Sequence, residues 1–298
     1  MLKSLLFLFL LWISPICFGQ IQINSHEDSL QITIDNQPFA TYVFLNPAIP
    51  RPFFHSLFSP GGVPITRSFP PVEGVDLTDH ATFHPGLWLA FGDISGNDFW
   101  RNQAQVIHKQ FLKSPDIKDN TGSFTVLNHY IGKDGLLCVE ENTIGITPDP
   151  HGVMLLWDSV FYSTEKPFTF GDQEEMGLGI RMATPFIVEN GGHILNSENG
   201  HNEKEIWGKQ AAWCAFYKVL EDKKSAGVLL MPSPENFRPS WFHARDYGLL
   251  TANPFGRNAF TKKEKSKITV QPNERFSLRF GVYVFHTTEA SPQFFQTS

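Results

Sequence analysis

Three short stretches carry side chains suited to moving protons beside a polar ligand: "DHATFHPGLW" at 79–88, "EEMGLGIRMA" at 174–183 and "SWFHARDYG" at 240–248. Imidazoles and carboxylates are the usual general acids and bases, which makes His84, Glu175 and His243 the catalytic candidates. Arg181 and Arg245 are the groups that would stabilise negative charge developing on a ligand. Aromatic plates next to charged hydrogen-bonding groups suit a pyranose, whose C–H faces stack and whose hydroxyls need donors and acceptors. Trp88, Trp207 and Trp241 are therefore expected to stack a sugar, with His80, Arg181, Lys209, Arg245 and Asp246 binding it. A glycosidase needs two carboxylates facing one bond. Glu175 qualifies, but Asp246 has the opposite strand parity unless its strand ends before it.

His80 and His84 are four residues apart, a zinc-like spacing on a helix. Pro85 argues against a helix there, and on a strand the same spacing separates the rings by roughly 13 Å. Only a tight turn would bring them together, so neither a metal nor any other cofactor is expected. The chain has no GxSxG elbow, HExxH pair, phosphate-binding glycine loop or zinc-spaced cysteine set. "GDISGND" lacks the regular oxygen-ligand alternation of a calcium loop and reads as a turn.

These residues must be positioned by strands. Turn signals at "DNQP", "SPGG", "KDG", "PDPHG", "EDKKSAG" and "QPNE" punctuate short alternating or apolar runs, as in a many-stranded antiparallel protein. "SLQITID", "SFTVLNHY" and "GVMLLWDSVFY" read as strands, and "SKITVQPNERFSLRFGVYV" as a closing hairpin. No ordinary amphipathic helix is evident. Because side chains alternate along a strand, Leu87, Leu89 and Phe91 share one face, and His84, Gly86, Trp88 and Ala90 the other. Met176, Leu178 and Ile180 likewise oppose Glu175, Gly177, Gly179 and Arg181. Trp241, His243 and Arg245 oppose Phe242 and Ala244, and in "EIWGKQAAW" Trp207, Lys209 and Trp213 share parity. If these strands are neighbours, one sheet face collects all the candidates over glycines that would let a ligand approach. Taken singly, each residue also fits a buried core or a cross-strand ion pair.

The fold expected is all-β: a large antiparallel β-sandwich, supersandwich-like, with a concave ligand face. The 298 residues, 41% hydrophobic and 14% aromatic, supply a sizeable core. A net charge of -6 and the lack of a basic aromatic run argue against nucleic acid as a partner. "MLKSLLFLFLLWISPICFG" has the layout of a secretory signal peptide, too short to span a membrane before Pro15. Residues 1–19 are therefore expected to be removed, leaving 20–298 as one periplasmic or extracellular domain. Cys17 raises a lipoprotein alternative that bulky Ile16 disfavours. Cys138 and Cys214 would then remain, as a disulfide or as two buried thiols. Oligomeric state is left open.

Together "GGVPITRSFPP", "DHATFHPGLWLAFGDISGNDFWRN", "FGDQEEMGLGIRMATP", "EIWGKQAAWCAFY" and "RPSWFHARDYGLLTANPFG" resemble the PmoA-like family of mostly secreted bacterial proteins, labelled "methane oxygenase". The resemblance runs from about residue 40 to the final strand. Many members carry "DHPHHRGLW" where this chain has the longer "DHATFHPGLW": Asp79, His80 and "GLW" match, His84 matches approximately, and the cluster arginine is absent. Methane oxidation is not supported, since neither a multi-span pattern nor a copper or di-iron ligand set is present. The resemblance instead implies company with sugar oxidoreductases and polysaccharide degradation. A carbohydrate-active enzyme of lyase, hydrolase or epimerase type, using His/Glu acid–base chemistry, is the leading expectation. A noncatalytic glycan-binding envelope protein is the alternative, and a structural protein with merely packed aromatics a third.

Overall fold

A computed structural model describes residues 19–288, so the expected export signal lies, but for Gly19, outside the described residues. Their nineteen strands are β1 (Ile21–Ser25), β2 (Ser29–Ile34), β3 (Gln37–Val43), β4 (Phe53–His55), β5 (Leu87–Phe91), β6 (Gln105–Lys118), β7 (Thr121–Gly132), β8 (Gly135–Asp149), β9 (Gly152–Tyr162), β10 (Phe168–Phe170), β11 (Met176–Arg181), β12 (Gly192–Asn196), β13 (Lys209–Gln210), β14 (Cys214–Val219), β15 (Ser225–Pro232), β16 (Trp241–Arg245), β17 (Leu249–Asn253), β18 (Ile268–Val270) and β19 (Phe276–Thr287). Two one-turn α-helices, α1 (Asn202–Ile206) and α2 (Arg257–Thr261), and two short 3-10 turns, Thr184–Phe186 and Val188–Asn190, complete the regular structure of the described residues. None of the described helices is long and apolar enough to cross a membrane.

Seventeen of the strands form an antiparallel sandwich of a nine-stranded sheet, β1-β2-β3-β4-β5-β11-β17-β16-β13, and an eight-stranded sheet, β12-β14-β15-β19-β9-β8-β7-β6, and β10 and β18 make a separate two-stranded sheet. The turn signals fall where strands reverse: "DNQP" joins β2 to β3, "KDG" β7 to β8, and "PDPHG" β8 to β9. The expected closing hairpin is absent, because β18 pairs with β10 while β19 lies between β15 and β9. Leu87, Leu89, Phe91, Leu178, Ile180 and Leu250 point from the first sheet into a core shared with Phe124, Ile144, Leu155 and Val282 of the second. Each such side chain contributes roughly 1.5–3 kcal/mol on burial, before the entropy of ordering it is counted.

Two glycines have roles other than admitting a ligand. At Gly177 φ is +106°, and a Cβ would sit 2.0 Å from the carbonyl oxygen of Ala252 on β17. Gly86, with φ +140°, is pressed against β4, where a Cβ would lie 2.2 Å from the Phe54 carbonyl oxygen. These positions serve strand-to-strand contact, which corrects the expectation that a ligand lies over them. Gly177→Ala is expected to cost at least about 2–4 kcal/mol by urea denaturation, from backbone strain plus the clash. Gly145→Ala, whose Cβ would meet nothing nearer than 3.8 Å, should stay within about 0.5 kcal/mol of wild type; equal losses at both would refute the distinction.

Cys138 and Cys214 are buried free thiols, on β8 and β14. Four inter-strand steps separate those strands in the sheet order, roughly 19 Å at the usual spacing and well beyond disulfide reach. Burial raises both thiols well above their ordinary pKa.

Candidate functional site

Three of the strands carrying candidate residues, β5, β11 and β16, lie together in the nine-stranded sheet, with β17 between β11 and β16. Register places Trp88 opposite Gly179, Gly179 opposite Thr251, and Thr251 opposite His243. Arg181 and Arg245 flank Leu249 in a parallel row. The alternation of β5, β11 and β16 therefore assigns Trp88, Arg181, Trp241, His243 and Arg245 to one face, away from the core.

That face is not an open concave platform. Residues 77–84 and 98–102 fold over it, held by two buried arginines. Arg67 donates from Nη1 to the carbonyls of Leu77 and Asp79, and from Nη2 to those of His80 and His84. Arg51 donates to the carbonyls of Phe83, Phe99 and Trp100 and to the Asn102 side chain, joining the two segments. Trp88 is 0% exposed beneath them. Its indole lies across Gly179, where a Cβ would meet the ring at 2.9 Å. The group approaching that glycine is thus the protein's own tryptophan.

Pro85 does not part the two histidines. The His84 amide donates to the His80 carbonyl at 2.9 Å, a tight turn that ends before the proline. The His80 and His84 rings stack at 4.9 Å, and His84 stacks on Trp88 at 5.1 Å. His84 thus belongs to the turn, not to β5, and the expected 13 Å separation does not hold. Among the described residues no group of three or more His, Cys, Asp or Glu side chains is arranged to hold a metal.

A cleft of about 110 Å³ remains between the covering segments and the sheet, lined by His80, Phe83, His84, Trp100, Arg101, Glu175, His243, Tyr247 and Leu249. The structure therefore brings together His80, His84, Glu175 and His243. Asp79, Arg101 and Tyr247 join them without having been singled out as site residues. Larger hollows among the described residues, of about 510, 270 and 240 Å³, are lined by no histidine.

Each charged group has a partner. Asp79 receives Arg181 at 2.6 and 3.0 Å and His80 Nδ1 at 2.8 Å. Burial opposes its ionisation, yet these bonds and the charges of Arg181 and Arg67 outweigh it and bring the pKa down to about 2. Arg181 is 1% exposed and stacks over Tyr247 at 4.6 Å, so it holds the covering loop and not a ligand. Glu175 meets Arg101 at 2.8 Å. Arg245 donates to Glu203 at 2.6 Å and to His243 Nε2 at 3.0 Å, which leaves the His243 proton on Nδ1. Glu174 lies 3.5 Å from Arg245 and 3.9 Å from His243; burial, then the charge of Glu175, raises its pKa.

The remaining sugar-binding candidates are not in the cleft. Trp207 follows α1 instead of lying in a strand, and packs on Phe260 beneath Arg245. Lys209 pairs with Phe242 in register, the opposite parity to His243, and is exposed. Trp241 is 7% exposed beside Arg238. Asp246 falls just after β16; its carboxylate accepts from the Glu203 backbone N–H at 2.8 Å while its own N–H donates to the Glu203 carboxylate at 3.1 Å, which pins α1.

Burial, reinforced by the charges of Arg181, His80, Arg51 and Arg67, holds His84 well below the ordinary imidazole pKa. Burial and then Arg245 lower His243 from 6.5 to about 4. Both rings are thus uncharged at neutral pH. Between pH 6.5 and about 4 the unfolded chain binds protons that the folded His243 refuses, so stability rises with pH across that window and is lost on acidification. Asp79 adds a second loss as pH falls through its folded value of about 2. Unfolding free energies from urea denaturation are expected to fall from pH 7 to 4, with a slope approaching about 1.4 kcal/mol per pH unit for each such proton. In His243→Gln the slope should be shallower; an unchanged slope contradicts the assignment.

Fold and cleft together define a large antiparallel β-sandwich protein with an imidazole, carboxylate and guanidinium cleft on its nine-stranded sheet. The chain belongs to DUF6807, a family of unknown function, whose model matches residues 29–294. No curated protein matches it in sequence. Among solved structures it is similar to one titled "Heparinase III-BT4657 gene product", with 8% identity and a TM-score of 0.34, covering 94% of this chain and 36% of that chain.

Proposed function

We propose that this is an exported carbohydrate-active enzyme whose cleft performs proton transfer on a sugar, with Glu175 and a cleft histidine as the acid–base pair. The observation that carries the reading is the lining itself: three imidazoles, Glu175 and the Tyr247 side chain around about 110 Å³. Such gatherings of convergent ionisable groups mark reactive sites, and burial displaces the pKa values of His84, His243 and Tyr247 here. The cleft is far smaller than the roughly 300–1,000 Å³ of a pocket that engulfs a whole ligand. It fits one edge or substituent of a ring, with Phe83 and Trp100 as its apolar walls. The resemblance of the quoted motifs to PmoA-like proteins belongs to the same proposal, since Asp79, His80 and Glu175 lie within those motifs.

A noncatalytic glycan-binding protein is the second reading, favoured by the pairing of Glu175 with Arg101 at 2.8 Å. A thermal-shift screen against mono- and oligosaccharides, with and without chelator, tests both. A bound sugar at a hundred times its Kd should stabilise the fold by about 2.7 kcal/mol. Turnover of the sugar that binds separates enzyme from binder, and no shift with any sugar contradicts both.

A further inference from the structure

The three histidines of the cleft are not equivalent. His84 is 4% exposed, and its Nδ1 is sealed in the interior without a hydrogen-bond partner. His243 is also 4% exposed, and its Nε2 is taken by the Arg245 guanidinium. His80 has a 49% exposed side chain and reaches the cleft from the covering turn. Its Nδ1 is bound to Asp79, and its Nε2 makes no hydrogen bond among the described residues.

We propose that His80 is the proton-transferring imidazole of the cleft, with Asp79 and Arg181 as the residues that position it. This rests on the reading of the cleft as an acid–base site. A carboxylate accepts from Nδ1–H, which fixes the tautomer and leaves the Nε2 lone pair as the base. Asp79 can serve this role because both its oxygens are anchored by the buried Arg181, at 2.6 and 3.0 Å. The ring plane is set by stacking on His84 at 27°. Its backbone is held in the left-handed region, φ 50°, while Arg67 grips the carbonyls of Asp79 and His80 at 2.7 and 3.0 Å. Strained residues kept in place by surrounding hydrogen bonds cluster at reactive sites. The step moves one proton from a ligand O–H or C–H to Nε2 and leaves its electron pair on the ligand. The imidazolium pairs with Asp79 until the proton is handed on to the leaving or re-protonated atom.

Long-range ¹H–¹⁵N spectra of the histidine-labelled full chain test the geometry without any ligand. His80 is expected as the Nδ1–H tautomer, lost in Asp79→Ala, which removes the acceptor, and kept in Asp79→Glu, with diethyl pyrocarbonate modifying it at least tenfold faster than His84 or His243. An Nε2–H tautomer, or modification of His84 or His243 first, overturns the proposal. With a sugar turned over by the wild type, His80→Gln should lose at least 100-fold in turnover while keeping the sugar-induced thermal shift. Wild-type turnover in His80→Gln would also overturn it. Failure of every sugar to bind the wild type would instead defeat the carbohydrate reading, leaving the tautomer and reactivity to decide the assignment of His80.

Discussion

Trp88→Ala is expected to lower the free energy of unfolding by about 3–5 kcal/mol, as other buried tryptophan truncations do. The indole is fully buried, stacked under His84 and edge-on to Trp100 at 5.3 Å. Removing it opens a void above Gly179, and the backbone of the glycine cannot move to fill it. Arg51 also loses the ring under its guanidinium, at 5.9 Å. Urea denaturation of the variant decides the point. A loss under about 1 kcal/mol, with sugar binding abolished instead, would restore Trp88 as an open stacking platform.

Glu175→Gln has the opposite signature. Removing a general acid or base typically lowers turnover by about 10²–10⁴-fold, whereas the fold should barely notice. The Arg101–Glu175 pair is about one-third exposed on both sides, and such pairs contribute about 0–1 kcal/mol. Arg101 also keeps its bond to Asp98 at 2.9 Å. Steady-state kinetics on the sugar that binds should show the fall in kcat with the thermal shift retained. Unchanged kcat would remove Glu175 from the chemistry.

Much of this architecture was legible because strand parity is local. The alternation in "LWLAF", "MGLGIR" and "WFHAR" separates core from opposite face at every position, and the structure keeps that separation. Parity says which face a side chain takes but not what covers that face. The covering depends on Arg51 and Arg67, whose partners are mostly backbone carbonyls, so no side-chain pattern announces them. Hence Trp88 and Arg181, correctly placed on the face, are buried below a second layer and not presented to a ligand. Trp207 and Lys209 were misplaced for a different reason: "EIWGK" holds one turn of helix followed by Gly208 at φ 70°, which breaks the alternation between them. His80 is the instructive case, because its spacing to His84 discouraged pairing on either regular element. The turn that joins them exists because His80 adopts a left-handed conformation and Arg67 holds it. Arg101, in the same stretch, reads as an ordinary turn residue until the fold sets it beside Glu175.

The most direct test of the central claim is a sugar titration of the ¹⁵N-labelled protein, watched at the tryptophan indole N–H signals. Trp100 lines the cleft, whereas Trp213 packs in a separate cluster with Leu229 and Tyr283. The account predicts a saturable shift of the Trp100 signal with that of Trp213 unmoved. A saturable shift at Trp213 with Trp100 unmoved would contradict it.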